Sequence, residues 1–433
     1  MKSSQTMSVV LLVVGLVAGL GTGYFMAPTK EVPGEIQYET IYASPLEDIV
    51  IQFASIEADD PGIETGTPMT EQILEPRLNA YLDKLGYDLS FDILIDNAQE
   101  TPAIHLEKVQ AFHSQGVDLI IGGRWSSQAQ SALPYVNENN MLLFSPSSTS
   151  PLLAIPDDNL YRMCPTDVVQ ADAIAEMLWT WGIEGVIVMQ RVDPWADGIY
   201  NLLGPAFEER GGEIVDRISY NPESKEFTSD LQTLENIAIE AIAEYGEEHT
   251  GILVISFSEA AIIFTQAEGF PTIYNDVAWF GTDGTAITQR LKDDSPTQAA
   301  HLMVPSTLAA PGISPKFREL NATYYPLTGQ VLDYYRAVYN DISWVMLEAV
   351  LQAQSVEAID VIPLIMDISD NTYGASGWCK LNEDGDRFPP DYEIWGYGVR
   401  GGVTTDVNYG KYNTFYGTVE WYIEELGFTP PGH

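Results

Sequence analysis

From Asp48 onward the chain alternates short apolar runs with longer stretches of helical periodicity, and this alternation narrows the possible folds more than any other feature. The runs are Ile49–Ala54, Leu89–Ile95, Val117–Ile121, Met141–Phe144, Gly185–Met189, Gly251–Ile255 and Val277–Phe280, rich in β-branched residues and bounded by Gly, Asp, Asn or Pro. Near-continuous apolar strands separated by helices indicate parallel sheets covered on both faces. Between them, Leu231, Leu234, Ala238, Ala241, Ile242 and Tyr245 fall on one face of a predicted helix. Tyr335, Val338, Tyr339, Ile342, Met346, Ala349, Val350 and Ala353 form another such stripe. Thr101-Pro102 reads as a helix start, with proline at the first helical position. The strands outnumber what one small sheet needs, so the expected fold class is α/β with two doubly wound parallel-sheet lobes. The stretch after Gly401 has weak periodicity and reads as an extra strand pair or a surface extension.

A chain of 433 residues is expected to form two or three globular units at about 100–200 residues each. Its 45% hydrophobic and 11% aromatic content is enough for sizeable cores. Against 62 acidic residues stand only 20 Lys and Arg, a net charge of −42. That field repels phosphate backbones and excludes nucleic acid as an expected partner. It is read as a solubility adaptation, with a weaker bias toward cationic or zwitterionic ligands. Cys164 and Cys379 show no metal-type spacing, and the sequence leaves open whether they pair.

Residues 8–26 carry no charge, and Lys2 precedes them. A bilayer core needs about 20 helical residues, so this segment is expected to be an N-terminal apolar helix, either a transmembrane anchor or a signal segment, behind a short flank at 1–7. No lipid-anchor cysteine follows it. Residues 27–47 read as a linker. The expected location is the extracellular side of the cytoplasmic membrane, anchored or secreted.

The five histidines are scattered, and no HExxH, GxSxG, Walker A or strand-bound GxGxxG pattern occurs. Asn382-Glu383-Asp384-Gly385-Asp386 resembles a calcium loop, but Lys380 stands at its first ligand position, so it reads as a tight turn. Neither a catalytic set, a metal site nor a cofactor is expected. What stands out is a pair of hydroxyl-rich strand-to-helix junctions. In the first, Gly122-Gly123-Arg124-Trp125-Ser126-Ser127 follows an apolar run; in the second, Ser145-Pro146-Ser147-Ser148-Thr149-Ser150 follows the next. In a doubly wound sheet both lie at the C-terminal ends of strands, where ligands bind and free N–H groups and hydroxyls can hold a carboxylate.

With these junctions the chain resembles the type I periplasmic-binding-protein family, in its branched-chain amino-acid-binding branch of ABC transporter receptors. Leu119-Ile120-Ile121-Gly122 followed by Trp125-Ser126-Ser127 is similar to a first-lobe strand and turn, and Leu143 to Thr149 to the "SP..T" segment. Tyr161-Arg162 through Pro165, Asp167 and Gln170-Ala171 resembles the crossover into the second lobe. Gly281-Thr282-Asp283-Gly284 resembles a "G.eG" loop, and Gly374 to Arg387 a late "G.tG...fd..Gdr" element. The resemblance covers about residues 48–400. It implies two lobes joined by a three-segment hinge: lobe one at 48–164 plus 288–370, lobe two at 165–287 plus 371–400, and 401–433 as a C-terminal extension. It also implies that Ser126 and the Ser147, Ser148, Thr149 segment hold an α-carboxylate, that Asp283 faces an α-ammonium, and that Trp195 covers the ligand from lobe two. Asp283 stands where glutamate is frequent, Trp195 where tyrosine is, and Arg124 and Trp125 where smaller or less polar residues are. Arg124 either pairs with a ligand side-chain carboxylate or bonds a carbonyl outside the pocket.

The function this implies is non-enzymatic: capture of an amino acid or a relative (amide, urea, short peptide) for an ABC transporter permease, with a membrane contact through the N-terminal segment. A ligand-binding sensory domain and a surface structural protein reusing the fold are the alternatives.

Overall fold

The computed structural model describes residues 24–32, 35–42, 46 and 49–432. The proposed anchor is therefore outside the described residues up to position 23. Among the described residues no single helix is long and apolar enough to cross a membrane.

Fifteen strands form the described sheets: β1 (Tyr24–Val32), β2 (Glu35–Tyr42), β3 (Val50–Glu57), β4 (Ser90–Asn97), β5 (Leu119–Ile121), β6 (Leu142–Ser145), β7 (Leu160–Arg162), β8 (Gly185–Arg191), β9 (Glu213–Tyr220), β10 (Thr250–Ile255), β11 (Ala278–Phe280), β12 (Ser306–Ala309), β13 (Tyr392–Arg400), β14 (Val403–Asn413) and β15 (Thr418–Trp421). The first large sheet has the order β4-β3-β5-β6-β7 and the second β11-β10-β8-β9. Every pairing in both is parallel. Their central strands are enclosed on both faces, and all seven residues of β8 are buried, which is why they read as unbroken apolar runs rather than alternating ones.

A third sheet, β12-β13-β14-β15, is antiparallel. A parallel bridge between Gly281 and Ser306 joins it to the end of β11. Of the two readings of residues 401–433, an extra strand pair and a surface extension, the strand pair forms: they supply β14 and β15, and Trp421 packs edge-on against Trp181 at 5.2 Å. Residues 288–309, expected with the first lobe, pack with the second: Leu291, Ala299, Leu302 and Val304 share a core with Ile252 and Trp279. Residues 24–42 also differ from the expected apolar helix end and linker, since β1 and β2 pair antiparallel there.

The crossover from the first sheet to the second is held by a buried bidentate ion pair. Arg162 donates from Nε and Nη2 to Asp386 at 2.6 and 2.7 Å, and its Nη1 donates to the carbonyls of Ser148 and Ser150. The two sequence elements that contain these residues lie 224 positions apart. The expected tight turn forms beside them, with Asn382 Oδ1 accepting from Asp384 and Asp386 N–H. Thr101 does precede the helix Pro102–Ser114, but its side chain makes no cap; the hydroxyl donates instead to the carbonyl of Gln99. The helix Tyr334–Ala353 returns the chain to the first sheet and is buried along most of its length.

Candidate functional site

A cavity of about 210 Å³ lies where the C-terminal ends of both large sheets face one another. Each sheet delivers residues through the first turn after a strand. β3 leads to Asp59 and Pro61, β5 to Arg124, Trp125 and Ser126, and β6 to Ser147. From the other side β8 leads to Trp195, β10 to Phe257 and Ser258, and β11 to Asp283 and Gly284. Strand ends are where a doubly wound sheet leaves helix N-termini and loops free for ligand.

The two serine junctions are tied to one another. Ser145 Oγ donates to the carbonyl of Gly123 at 2.8 Å and accepts from the N–H of Ser148 at 3.0 Å. Ser147 Oγ donates to the carbonyl of Arg124 at 2.8 Å, and Ser126 Oγ accepts from Ser150 N–H at 3.1 Å. The Ser126 hydroxyl therefore keeps its proton for another acceptor. Gly123 has φ +61°, and a Cβ there would lie 2.8 Å from that of Ala129, so the turn requires glycine. His105 sets this turn from below: Nε2 of the fully buried ring accepts from Gly123 N–H at 2.7 Å. Burial pushes the ring's pKa down to about 3, so it stays neutral and an acceptor.

Among the expected site residues, Arg124, Trp125, Ser126, Ser147, Trp195 and Asp283 come together on the cavity. Ser127 is half-buried and does not line it, and neither do Ser148 and Thr149, whose hydroxyls are buried.

Arg124 resolves differently from both readings of it. It lines the cavity, yet Nη2 is committed at 2.6 Å to the buried carboxylate of Glu57. Arg336 reaches the same Glu57 oxygen at 2.9 Å, and the Tyr339 ring lies under both guanidinium groups. Gly66 makes room for the carboxylate, since a Cβ there would be 2.3 Å from Glu57 Oε1. Two cations thus share one carboxylate, with the buried Asp333 carboxyl close to both, and Arg124 Nε, buried, has no partner.

Aromatic rings bridge the cleft. Phe257 stacks on Trp125 at 4.7 Å and on Trp195 at 4.4 Å, with interplanar angles of 23° and 14°. Arg191 sits 4.2 Å from the Phe257 centroid and is fixed by Asp193 at 2.6 Å and Glu259 at 2.8 Å. Phe257 and Arg191 were not anticipated from sequence; their one signal was position, at the end of an apolar run.

Asp283 accepts from Tyr335 OH at 2.6 Å and Gln170 Nε2 at 2.8 Å. Burial raises its pKa despite these donors. Nearby Asp167 is fully buried, with the Thr149 hydroxyl beside its carboxyl group. Burial raises the Asp167 pKa well above the ordinary value, and the charge of Asp283 adds to the rise. Asp59 caps the helix Asp60–Met69 through Gly62 N–H at 2.8 Å, and burial raises its carboxyl to about 6.

Residues 76–399 match the model of the receptor family ligand binding region. The chain belongs to this family, that of the type I periplasmic binding proteins. An uncharacterised protein of Methanocaldococcus jannaschii is 28% identical over 348 residues, which are 75% of this chain and 80% of the relative. The fold matches a leucine-binding protein of Thermotoga maritima with a TM-score of 0.67 at 17% identity, over 82% of this chain and 97% of that one. It matches a branched-chain amino-acid-binding protein of Streptococcus pneumoniae, solved with isoleucine, with a TM-score of 0.65 at 17% identity, over 83% and 99%. A Rhodopseudomonas palustris solute-binding protein, solved with 3,4-dihydroxybenzoic acid, gives 0.66 at 14%, over 84% and 98%. At such identities the structures speak for the fold alone. Both cysteines of this family member are buried and free.

Proposed function

We propose that this chain is an extracytoplasmic solute-binding protein that captures an amino acid or a related small polar ligand for an ABC-type importer. The observation that carries it is the charge layout of one small cavity. Arg124 and the free Ser126 proton stand on the first-lobe side, with Asp59 beside them, and the carboxylate of Asp283 stands on the other, with Arg290. A zwitterion matches both ends, and the stacked rings of Trp125, Phe257 and Trp195 offer an apolar surface on which its side chain can lie. Ser127, Ser148 and Thr149 join the site only once ligand draws the loops inward. In this reading residues 49–164 and 310–370 form one lobe, 165–309 and 371–432 the other, and ligand closes them by hinge motion. An N-terminal segment would hold the protein outside the cytoplasm, next to a permease.

Calorimetric titration with the amino acids, simple amides, urea and benzoate tests this directly. The expected result is saturable binding of at least one amino acid, weakened by Asp283→Ala. Absence of binding across the set, or an affinity that ignores Asp283→Ala, would overturn the reading.

A further inference from the structure

A second cavity, of about 510 Å³, opens on the outer side of the first lobe and shares no lining residue with the cleft. It lies between the helices Glu75–Leu85, Pro315–Thr328 and Tyr334–Ala353, with Gly374 and Ala375 at its base. Arg77, Ala80, Tyr81 and Lys84 turn toward it from one helix at spacings of three and four, the spacing of a single helical face. Lys316 and Trp344 face it from the other two.

The cavity gathers cations, which are scarce in this chain. The chain has 20 Lys and Arg against 62 acidic residues, yet Arg77, Lys84 and Lys316 converge on this one cavity. Glu319 and Asp341 also line it. Glu319 is spoken for by Arg77 at 3.4 Å, and Asp341 accepts the N–H groups of Ala375 and Ser376 at 2.7 and 2.8 Å. Lys316 reaches the carbonyl of Tyr373, while Lys84 has no carboxylate or carbonyl partner among the described residues. Trp344 and Tyr81 meet edge to face at 5.3 Å and make the apolar wall. On the floor, Asn340 is 7% exposed. Its Nδ2 is used on Asp341 Oδ1 at 2.9 Å, which fixes the amide orientation and leaves Oδ1 buried with no donor. A buried acceptor without a donor costs free energy that a ligand hydroxyl would recover.

We propose that this cavity is a second ligand site, taking a flat organic carboxylate that carries a hydroxyl donor. Lys84 and Lys316 receive the carboxylate, the Tyr81–Trp344 wall carries the flat body, and Asn340 Oδ1 accepts the hydroxyl. The site is independent of what the cleft binds.

Calorimetry on the full chain with 4-hydroxybenzoate tests this, with benzoate and phenol as probes that lack one group each. The expected result is that 4-hydroxybenzoate binds more tightly than either. Lys84→Gln weakens it about tenfold, the size of one lost charge-assisted contact. Asn340→Leu abolishes the preference over benzoate, and Arg290→Gln, at a residue that lines the cleft and not this cavity, leaves the binding unchanged. No binding of 4-hydroxybenzoate overturns the proposal, as does binding that survives Lys84→Gln but falls with Arg290→Gln. Lys84 is exposed, so its variant decides the matter even if Asn340→Leu fails to fold.

Discussion

The hydroxyl of Tyr335, in the first turn of the helix that packs on the first sheet, donates a 2.6 Å hydrogen bond to Asp283, on the loop after β11 of the second. The bond crosses the cleft and holds the two walls at one separation. Tyr335→Phe removes this donor and leaves Asp283 with Gln170 and the backbone N–H groups of its own loop. A bond to a charged acceptor is worth about 1.5–3 kcal/mol. The ligand-free protein is therefore expected to open, with a larger radius of gyration in solution scattering. An unchanged radius would show that the aromatic stack alone keeps the cleft shut.

Asp167 is expected to be a net cost to stability at neutral pH, being fully buried and faced by the charge of Asp283. Its folded pKa is raised, so the folded state holds the proton more tightly than the unfolded one. The stability it contributes is present in full below the unfolded value of 3.8 and is lost as pH rises toward the folded value. Asp167→Asn is expected to raise stability at pH 7 by about 1–3 kcal/mol and to flatten its fall with pH, read by chemical denaturation at several pH values. A destabilised Asn variant would mean that the ionised carboxylate is needed.

Asp59 gives the cleft a titration near its rim. Its carboxyl is raised to about 6 from 3.8, chiefly by burial, so between those values the folded cleft carries less negative charge than its composition suggests. An ammonium-bearing ligand is expected to bind more tightly as pH rises through about 6. In Asp59→Asn that rise should be missing from affinities measured between pH 4.5 and 7.5.

Glu57 pairs with two guanidinium groups, those of Arg124 and Arg336, inside the first lobe. Glu57→Gln keeps the shape but leaves both cations without their shared carboxylate. Removing one member of a buried ionic cluster costs about 3–5 kcal/mol. The variant is expected to melt at a markedly lower temperature and to bind ligand poorly, because Arg124 loses its anchor. Near-native melting would mean that the pair of arginines is compensated elsewhere.

Much of the site's location was readable before any coordinates. A hydroxyl-rich turn after an apolar run marks the C-terminal end of a buried strand, and Arg124 to Ser126, Ser147 and Asp283 all stand at such ends. Trp195 was placed by family resemblance, and it lines the cavity too. Phe257 escaped notice because a single phenylalanine after a strand looks like core until its stacking partners are known. The stretch after residue 401 stayed open between a strand pair and a surface extension because β14 carries no unbroken apolar run.

Local pattern by itself determined the order of elements, the parallel character of both large sheets and the side of those sheets on which the cleft opens, since each follows from the burial a short stretch of chain demands. Tertiary structure alone decided which side chains meet. Glu57 and Arg336 are 279 positions apart, and Asp283 and Tyr335 are 52 apart. Their pairing depends on where the helix Tyr334–Ala353 lands when it packs on the first sheet, and no periodicity along the chain encodes the distance between two surfaces that touch only after folding.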